Sequence, residues 1–354
     1  MFEDRKSRTE ISELGEFKLI DVLTNDIKLN QKSTIKGIGD DAAILSFDKD
    51  DQVLISTDLL VENVHFHLSY TPLKHLGYKA AVVNFSDIAA MNATPTQITV
   101  GLAISNRFSL EAVQELYAGI KLACEKYNVD FVGGDTTSST SGLMISVTVL
   151  GKAKKEKITQ RSTANQGDLL VVTGDLGAAY AGLLLLERER KVFEKTPGVQ
   201  PEFSGKEYLL ERQLKPEARM DMVIKMDELN LIPTAMIDIS DGLASEVLHL
   251  CKASKLGCHL YEEKIPIDIQ TSQVADEFDI HPATFALNGG EDYELLMTIK
   301  QEDYDIIKDI KGFVVIGHMM DEGTGAQMIN AIDKAIPIRA QGWDGLKKDG
   351  LNSL

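Results

Sequence analysis

Acidic residues stand in five separated segments whose other residues are mainly apolar or glycine. They are Asp40 and Asp41 in GIGDDAAIL, Asp58 in ISTDLL, Asp87 in NFSDIAAM, Asp135 in VGGDTTSS, and Asp238 and Asp241 in IDISDG. Asp58 is predicted at the end of a strand, and the GGD of VGGDTTSS directly after one. A carboxylate is costly to bury without a partner, and clustered carboxylates repel one another unless protons or cations neutralise them. Oxygen donors without cysteine or clustered histidine favour magnesium or manganese over zinc. The sequence therefore predicts a shared site for divalent cations.

Each acid also has a structural interpretation when it is taken alone. Asp241 could cap a helix, and Asp41 could stabilise a turn. Asp87 is harder to explain in this way, because aspartate has low helix propensity and the predicted helix around it lacks a polar face. Five such segments together favour the shared site.

A magnesium site suggests phosphate chemistry. Backbone amides at Gly133–Gly134 and Asp241–Gly242 could contact phosphate oxygens directly. The sequence contains neither G-x-x-x-x-G-K-[ST] nor a G-x-G-x-x-G between a strand and a helix. Phosphate binding is therefore predicted to depend on metal ions rather than on a lysine-tipped loop.

The formal net charge of −17 argues against nucleic acid or an anionic membrane as a direct partner. The first ten residues, MFEDRKSRTE, contain no apolar signal region, and no apolar run reaches the roughly 18 residues of a spanning helix. We therefore expect a soluble, cytoplasmic protein. The three cysteines form no C-x-x-C pair, which predicts core thiols rather than disulfides or a zinc ribbon.

Apolar patterns predict strands that alternate with helices. Strands are predicted at 53–57, 97–104, 143–151, 169–174, 235–240, 293–299 and 313–317, and helices at 74–91, 110–127, 178–190 and 241–254. This is the pattern of an α/β or α+β enzyme. The basic run after Gly151 predicts a boundary between domains 1–151 and 152–354, and the charged stretch from Glu187 to Lys206 predicts a solvated excursion.

Six motifs occur in the order and approximate spacing of one known family. They are GIGDDAAIL, ISTDLLVENVHF, AVVNFSDIAAMNATP, FVGGDTT, IDISDGLASE and NGGEDYELL. The chain resembles the thiamine-monophosphate kinase family of the aminoimidazole-ribonucleotide-synthetase-like ATP-binding superfamily. The GGD and ISDG motifs are shared loosely across that superfamily, whereas TD-x5-VHF together with NGGEDYEL is specific to the kinase. Asn288 stands where the family often has serine.

The resemblance implies transfer of the ATP γ-phosphoryl group to thiamine monophosphate, which gives thiamine diphosphate and ADP. It also implies a two-domain fold in which the N-terminal mixed-sheet domain binds ATP and metal and forms a barrel with a second subunit. A C-terminal α+β domain follows. The ATP cleft is expected between the domains of a homodimer that uses several Mg²⁺ ions.

The family's functional residues carry over onto matching positions of this sequence. The resemblance implies catalytic roles for Asp58, Asp87, Asp238 and Asp241 and ATP contacts for Gly134, Asp135, Arg161 and Ser240. The implied metal ligands are Asp41, Asp58, Asp87, Asp135 and Asp238, with Ser56 and Thr57 in support and Asp241 at a further ion. Taken alone, Arg161 fits a solvated loop cation.

Three residues are candidates for contact with the vitamin. His65 and His67 alternate along a stretch predicted to be extended, which would also fit a surface strand; the resemblance favours His65. Glu291 follows two glycines and fits a turn cap equally well. Trp343 is the only tryptophan, and it could stack on the cationic thiazolium or pack in a core or dimer interface.

Other proteins of this superfamily remain as alternatives. Selenophosphate synthetase would need a reactive cysteine near the start, and residues 1–123 contain none. The hydrogenase-maturation dehydratase would need a C-terminal cysteine, and the chain ends LNSL. An aminoimidazole-ribonucleotide-synthetase-like enzyme and a non-catalytic nucleotide or thiamine-phosphate sensor are the alternatives that an assay must separate.

Overall fold

The computed structural model describes residues 9, 16–36, 38 and 43–341. The chain forms two compact units. The first unit contains the chain up to Ile88 together with Ala93–Lys155. The second unit contains Ala89–Asn92 together with the chain from Glu156 onward. In the described part, no helix is long and apolar enough to cross a membrane.

The first unit is built on a four-stranded mixed sheet. Strand order is β3-β6-β4-β5; β4 and β5 are parallel, and the other pairs are antiparallel. A separate pair, β1 and β2, is antiparallel. The elements are α1 (Glu16–Thr24), β1 (Thr34–Lys36), β2 (Ile44–Leu45), β3 (Asp51–Val61), α2 (Leu73–Ala90), β4 (Thr94–Ile104), α3 (Leu110–Tyr127), β5 (Asp130–Ser138) and β6 (Met144–Lys154).

Helix α2 is buried almost all round, as its apolar sequence predicts. Asp87 is the one residue between 81 and 90 that is not fully buried. Strand β3 instead alternates, with Ser56 and Asp58 on its less exposed face and Val53, Ile55 and Leu59 on an exposed face. The first unit therefore presents apolar side chains outward along an edge strand.

The second unit is built on a seven-stranded sheet with helices packed against it. The strand order is β13-β12-β9-β11-β7-β10-β8. Among the described pairs, only β9 and β12 are parallel, and the others are antiparallel. Its strands are β7 (Leu169–Thr173), β8 (Ala235–Asp238), β9 (Gly257–Tyr261), β10 (Leu295–Ile299), β11 (Phe313–Met320), β12 (Ala326–Ile329) and β13 (Ala335–Pro337). Its helices are α4 (Ala178–Lys195), α5 (Glu207–Leu214), α6 (Met220–Glu228), α7 (Leu243–Ser254), α8 (Ile269–Glu277), α9 (Pro282–Asn288) and α10 (Tyr304–Ile307).

Single 3₁₀ turns occur at Lys155–Lys157, Glu262–Lys264, Gln301–Asp303 and Glu322–Thr324. The main core of the second unit packs helix α7 against the sheet, with Leu243, Val247 and Leu250 meeting residues such as Ile237 and Leu296. This packing fixes the end of β8 and the start of α7, where the IDISDG motif lies.

The α/β class with two units of mixed sheet and helix is confirmed, but several local predictions were wrong. The GGD motif does not follow a strand; it lies inside β5, which pairs with β4. Asp58 lies within β3 rather than at its end, because β3 pairs with β6 as far as Val61. The domain boundary predicted at Gly151 stays a prediction; β6 pairs with β3 as far as Lys154, and the first compact unit ends at Lys155.

Two helices differ from prediction at their ends. Helix α4 extends to Lys195, so the first half of the predicted excursion is helical; the ion pair of Arg190 with Glu187 and Glu194 fits this extension. Helix α7 begins at Leu243 rather than Asp241, because Gly242 has φ 108° and cannot belong to the helix. Gly242, not Asp241, is the N-cap residue.

Candidate active site

Ser56, Asp58 and Asp87 meet in the first unit. Ser56 and Asp58 are two residues apart on β3 and share a face. Ser56 Oγ donates a hydrogen bond of 2.5 Å to Asp87 Oδ2 on α2. Burial, and then the negative charge of Asp87, raise the pKa of Asp58 to about 6. An acid of a strand and an acid of a helix therefore interact electrostatically, and both are partly buried.

A pair of carboxylates that disfavour each other's charge fits a divalent cation, because oxygen donors are the ligands that Mg²⁺ takes and a cation would reverse the repulsion. In the residues that the structure describes, no group of three or more His, Cys, Asp or Glu side chains could by itself hold a metal ion. The metal assignments therefore stay predictions.

Gly134 and Asp135 lie in β5, at the edge of the sheet. A Cβ at Gly134 would stand 2.1 Å from the carbonyl oxygen of Val100, so only glycine fits there. Thr136 is buried and hydrogen-bonded with Tyr117 of α3, whereas Asp135 is exposed. Because side chains alternate along a strand, Asp135 points to the face opposite α3.

Thr57 also points away from the pair formed by Asp58 and Asp87. Its hydroxyl donates to the carbonyl oxygen of Val147 at 3.1 Å and lies 3.0 Å from Thr148 Oγ1. Within the first unit, the structure thus brings together Ser56, Asp58 and Asp87 but places Thr57 on the other face of β3. A supporting role for Thr57 at a metal stays a prediction.

His65 lies in a turn, so the prediction of an extended stretch at 65–67 was wrong. Asn63 adopts φ 64°, and both Val64 and His65 donate their backbone N–H to the carbonyl of Val61. Val61 N in turn donates to His65 Nδ1 at 3.0 Å. His65 is exposed, and His67 stacks on Tyr70 with ring centroids 5.6 Å apart. The turn separates the environments of the two histidines.

In the second unit, Asp238, Ser240 and Asp241 mark the step from β8 to α7. Asp238 ends β8 and is 3% exposed, whereas Asp241 is exposed. Glu246, which the sequence analysis did not assign, accepts the backbone N–H of Asp241 at 3.0 Å. Burial raises the pKa of Glu246 to about 8; the charges of Asp241 and Asp238 add to this, and Arg161 opposes it.

Glu246 had a signal in the sequence. It falls three residues after Leu243 and four before Leu250, on the apolar stripe of α7, where a glutamate is out of place unless it has a partner. Arg161, Asp238 and Asp241 thus each act electrostatically on Glu246. This end of the sheet is a candidate phosphate and metal region.

The loop after α9 carries Glu291 and runs alongside this step. Glu291 N donates to the carbonyl of Ser240 at 2.8 Å, and Tyr293 N donates to that of Ile239 at 2.9 Å. Glu291 and Tyr293 have φ of 69° and 53°, which non-glycine residues rarely adopt. Such strain, held by surrounding structure, is typical of functional sites. The second unit therefore places Glu291 beside Ser240.

The remaining acids of the NGGEDYEL motif are buried in a network that the sequence analysis missed. Asp292 accepts the backbone N–H groups of Gly177 and Ala179 at 2.7 and 3.3 Å, at the start of α4. Burial raises the pKa of Asp292 to about 7, against the opposing charge of Arg212. Glu294 accepts hydrogen bonds from Arg212 at 3.0 Å, from Thr173 and from Arg219. These acids hold the loop in place.

Two predicted site residues, Asp41 and Trp343, lie outside the described residues.

Comparison with known proteins places the chain first in a class and then in a family. Residues 39–153 match the N-terminal domain of AIR synthase related proteins, and residues 165–329 match their C-terminal domain. The chain is 36% identical over 346 residues to the thiamine-monophosphate kinase of Buchnera aphidicola subsp. Schizaphis graminum, covering 96% of this chain and 99% of the relative. It is 34% identical over 304 residues to that of Bacillus subtilis, covering 83% of this chain and 86% of the relative.

Solved structures agree with this. A structure of AaThiL complexed with AMPPCP and TMP superposes with a TM-score of 0.70 at 31% identity, covering 95% of this chain and 97% of that one. The thiamine-monophosphate kinase of Stenotrophomonas maltophilia K279a gives a TM-score of 0.75 at 28% identity, over 89% of this chain and 96% of the other. The chain therefore has the two-domain fold of the AIR synthase class. It belongs to the thiamine-monophosphate kinase family and is an enzyme, a kinase.

Proposed function

We propose that this kinase transfers the γ-phosphoryl group of ATP to the phosphate of thiamine monophosphate in a Mg²⁺-dependent reaction that yields thiamine diphosphate and ADP. Kinase relatives along most of the chain and a related structure that holds AMPPCP and TMP support the proposal. The observation that carries it is the hydrogen bond between Glu291 N and Ser240 O, which sets the expected vitamin contact beside the expected ATP contact.

The reaction needs electrostatic help more than a base. The second pKa of a phosphate monoester is about 6, so the nucleophilic oxygen is already ionised near neutral pH. ATP and a phosphomonoester together bring roughly six negative charges, and their approach is unfavourable until cations offset them. When bound, Mg²⁺ would neutralise charge on the phosphates and align them.

The chain's own residues would hold these groups. Asp58 and Asp87 with Ser56 are proposed as metal ligands in the first unit, and Asp238 and Asp241 in the second. Arg161 would offset phosphate charge, Ser240 and the backbone at Gly134 would contact ATP, and Glu246 would hold Asp241. Further proposed roles are those of Asp41, Thr57 and Asp135 at metals, and of His65, Glu291 and Trp343 at the vitamin.

We further propose that the enzyme is a cytoplasmic homodimer. The exposed apolar face of β3, with Val53, Ile55 and Leu59, supports the dimer, because an edge strand that presents apolar side chains favours association.

One assay tests the function against its alternatives. Purified protein is incubated with ATP, Mg²⁺ and thiamine monophosphate, and thiamine diphosphate and ADP are quantified by chromatography. Stoichiometric formation of both, abolished by EDTA, supports the kinase. Tight binding of both ligands without product would indicate a sensor. ATP turnover only with an aminoimidazole ribonucleotide precursor would indicate a synthetase.

A further inference from the structure

The charged excursion, residues 187–206, leads into helix α5, which packs back against α4. After α4 ends at Lys195, residues 196–206 lead into α5 (Glu207–Leu214). Glu277 of α8 accepts hydrogen bonds from Lys206 at 2.6 Å and from Arg188 at 3.3 Å. Both ends of the excursion are therefore tied to the same carboxylate.

Helix α5 packs on α4 at very short range. A Cβ at Gly182 of α4 would stand 2.2 Å from the carbonyl oxygen of Leu209. Leu209 is fully buried in an apolar cluster with Ala178, Leu185 and Phe285. Because the backbones are this close, the position of α5 along α4 is fixed.

This position brings the last turn of α5 onto the loop of the NGGEDYEL motif. Gln213 Nε2 donates a hydrogen bond of 2.6 Å to Glu291 Oε2. The neighbouring Arg212 donates to Glu294 at 3.0 Å and to the carbonyl of Asp175 at 3.1 Å. Gln213 is 5% exposed, so its amide is held within the packed layer rather than at the surface.

A glutamate side chain has several rotamers, and a buried donor selects among them. Glu291 is half-buried, and its backbone has the strained φ of 69°. The loop fixes the backbone of Glu291, whereas contacts such as the one with Gln213 orient its carboxylate.

We propose that Gln213 is a positioning residue, which orients the carboxylate of Glu291 for recognition of the cationic vitamin part of the substrate. The charged excursion brings helix α5, and with it Gln213, to this place. The inference rests on the proposed function, since it takes Glu291 as a substrate contact. It assigns a role to helix α5 that no motif of the sequence indicates.

Two substitutions of similar volume test the proposal. Gln213→Met removes the donor and keeps the packing, and Gln213→Glu places a second carboxylate against Glu291. We expect the KM for thiamine monophosphate to rise about tenfold with Gln213→Met and further with Gln213→Glu, while the KM for ATP stays within about twofold. Glu211→Gln, on the exposed side of α5, is the matched control and should change neither KM.

A double-mutant cycle separates positioning from general stabilisation. If Gln213 acts through Glu291, Gln213→Met should add little to the effect of Glu291→Gln on the KM for thiamine monophosphate. Additive effects, equal rises in both KM values, or an unchanged KM for thiamine monophosphate in both Gln213 variants would overturn the proposal. Failure of the proposed function is distinct from this, because it would appear in the wild-type protein as no turnover and no binding of thiamine monophosphate.

Discussion

Asp58 of β3 and Asp87 of α2 interact electrostatically: the charge of Asp87 adds to burial in raising the pKa of Asp58 to about 6. Ser56, on the same face of β3 as Asp58, donates a hydrogen bond to Asp87. Repulsion of this kind costs folding free energy, and the proposed metal site gives a reason for the protein to keep it.

Asp58→Asn should lower turnover by on the order of 10² or more, because it removes a charged oxygen donor without changing side-chain volume. The same change should leave the metal-free protein at least as stable as wild type at pH 8, since a repulsion is removed. Steady-state kinetics at saturating Mg²⁺ and thermal unfolding in EDTA measure the two effects. Asp50→Asn, at an exposed position, serves as the control; near wild-type turnover of Asp58→Asn would refute the metal assignment.

Glu246 predicts a pH dependence of stability. Its pKa is raised in the folded protein from 4.5 to about 8, so the folded state binds more protons than the unfolded state in that range. The contribution of Glu246 to the unfolding free energy is full below about pH 4.5 and falls as pH rises through about 8. The unfolding free energy of the metal-free protein, measured with urea, should fall less between pH 5 and pH 9 in Glu246→Gln than in wild type. The same loss in both proteins would contradict this; Glu228→Gln is the exposed control.

Glu246 also predicts an effect on activity. Glu246→Gln keeps an oxygen acceptor for the N–H of Asp241, whereas Glu246→Ala removes it. We expect kcat/KM to fall about 10- to 100-fold in the alanine variant and clearly less in the glutamine variant. Equal losses in the two variants would mean that the acceptor is not what matters.

The exposed face of β3 predicts the oligomeric state. Ile55→Lys places a charge in the middle of the apolar row and should shift the protein from dimer to monomer in light scattering after gel filtration. Ile332→Lys, at an equally exposed position in the second unit, should leave the dimer intact. A dimer that survives Ile55→Lys would place the interface elsewhere.

The close approach of α4 and α5 predicts the effect of a single methyl group. Gly182→Ala should destabilise the protein by about 1–3 kcal/mol and also raise the KM for thiamine monophosphate, because α5 must shift away from the loop that carries Glu291. Gly101→Ala is the control, since its Cβ would meet Ser146 only at an ordinary 3.6 Å. Destabilisation with unchanged kinetics would show that the position of α5 does not affect substrate recognition.

The elements that could be predicted from sequence are those with long apolar patterns. Helices α2 and α3 and strands β4, β6, β7, β10 and β11 lie within three residues of their predicted bounds. Strand β5 was predicted only in part, because its two glycines resemble a turn, whereas pairing with β4 extends it through the GGD motif. Tertiary pairing outweighed local residue preference there.

The residues of the candidate site divide in the same way, into those that a local sequence pattern indicates and those that only distant contacts reveal. The sequence made Asp87 a candidate because a mid-helix aspartate in an apolar helix is anomalous by itself, and Glu246 could have been made a candidate by the same reasoning. Arg212 and Gln213 could not, because their importance arises from contacts with residues 78 or more positions away in the chain. Nothing in a short charged helix indicates which loop it will meet. The motif residues are predictable, and the residues that support them are not.

The two ion pairs that secure the excursion to Glu277 involve partly exposed side chains, and charges of this kind are screened by dissolved ions. Helix α5, and with it the contact between Gln213 and Glu291, is therefore held in place partly by ion pairs that dissolved salt weakens. Raising the ionic strength would therefore weaken the attachment of α5 to α8 and, through α5, the hold of Gln213 on the carboxylate of Glu291.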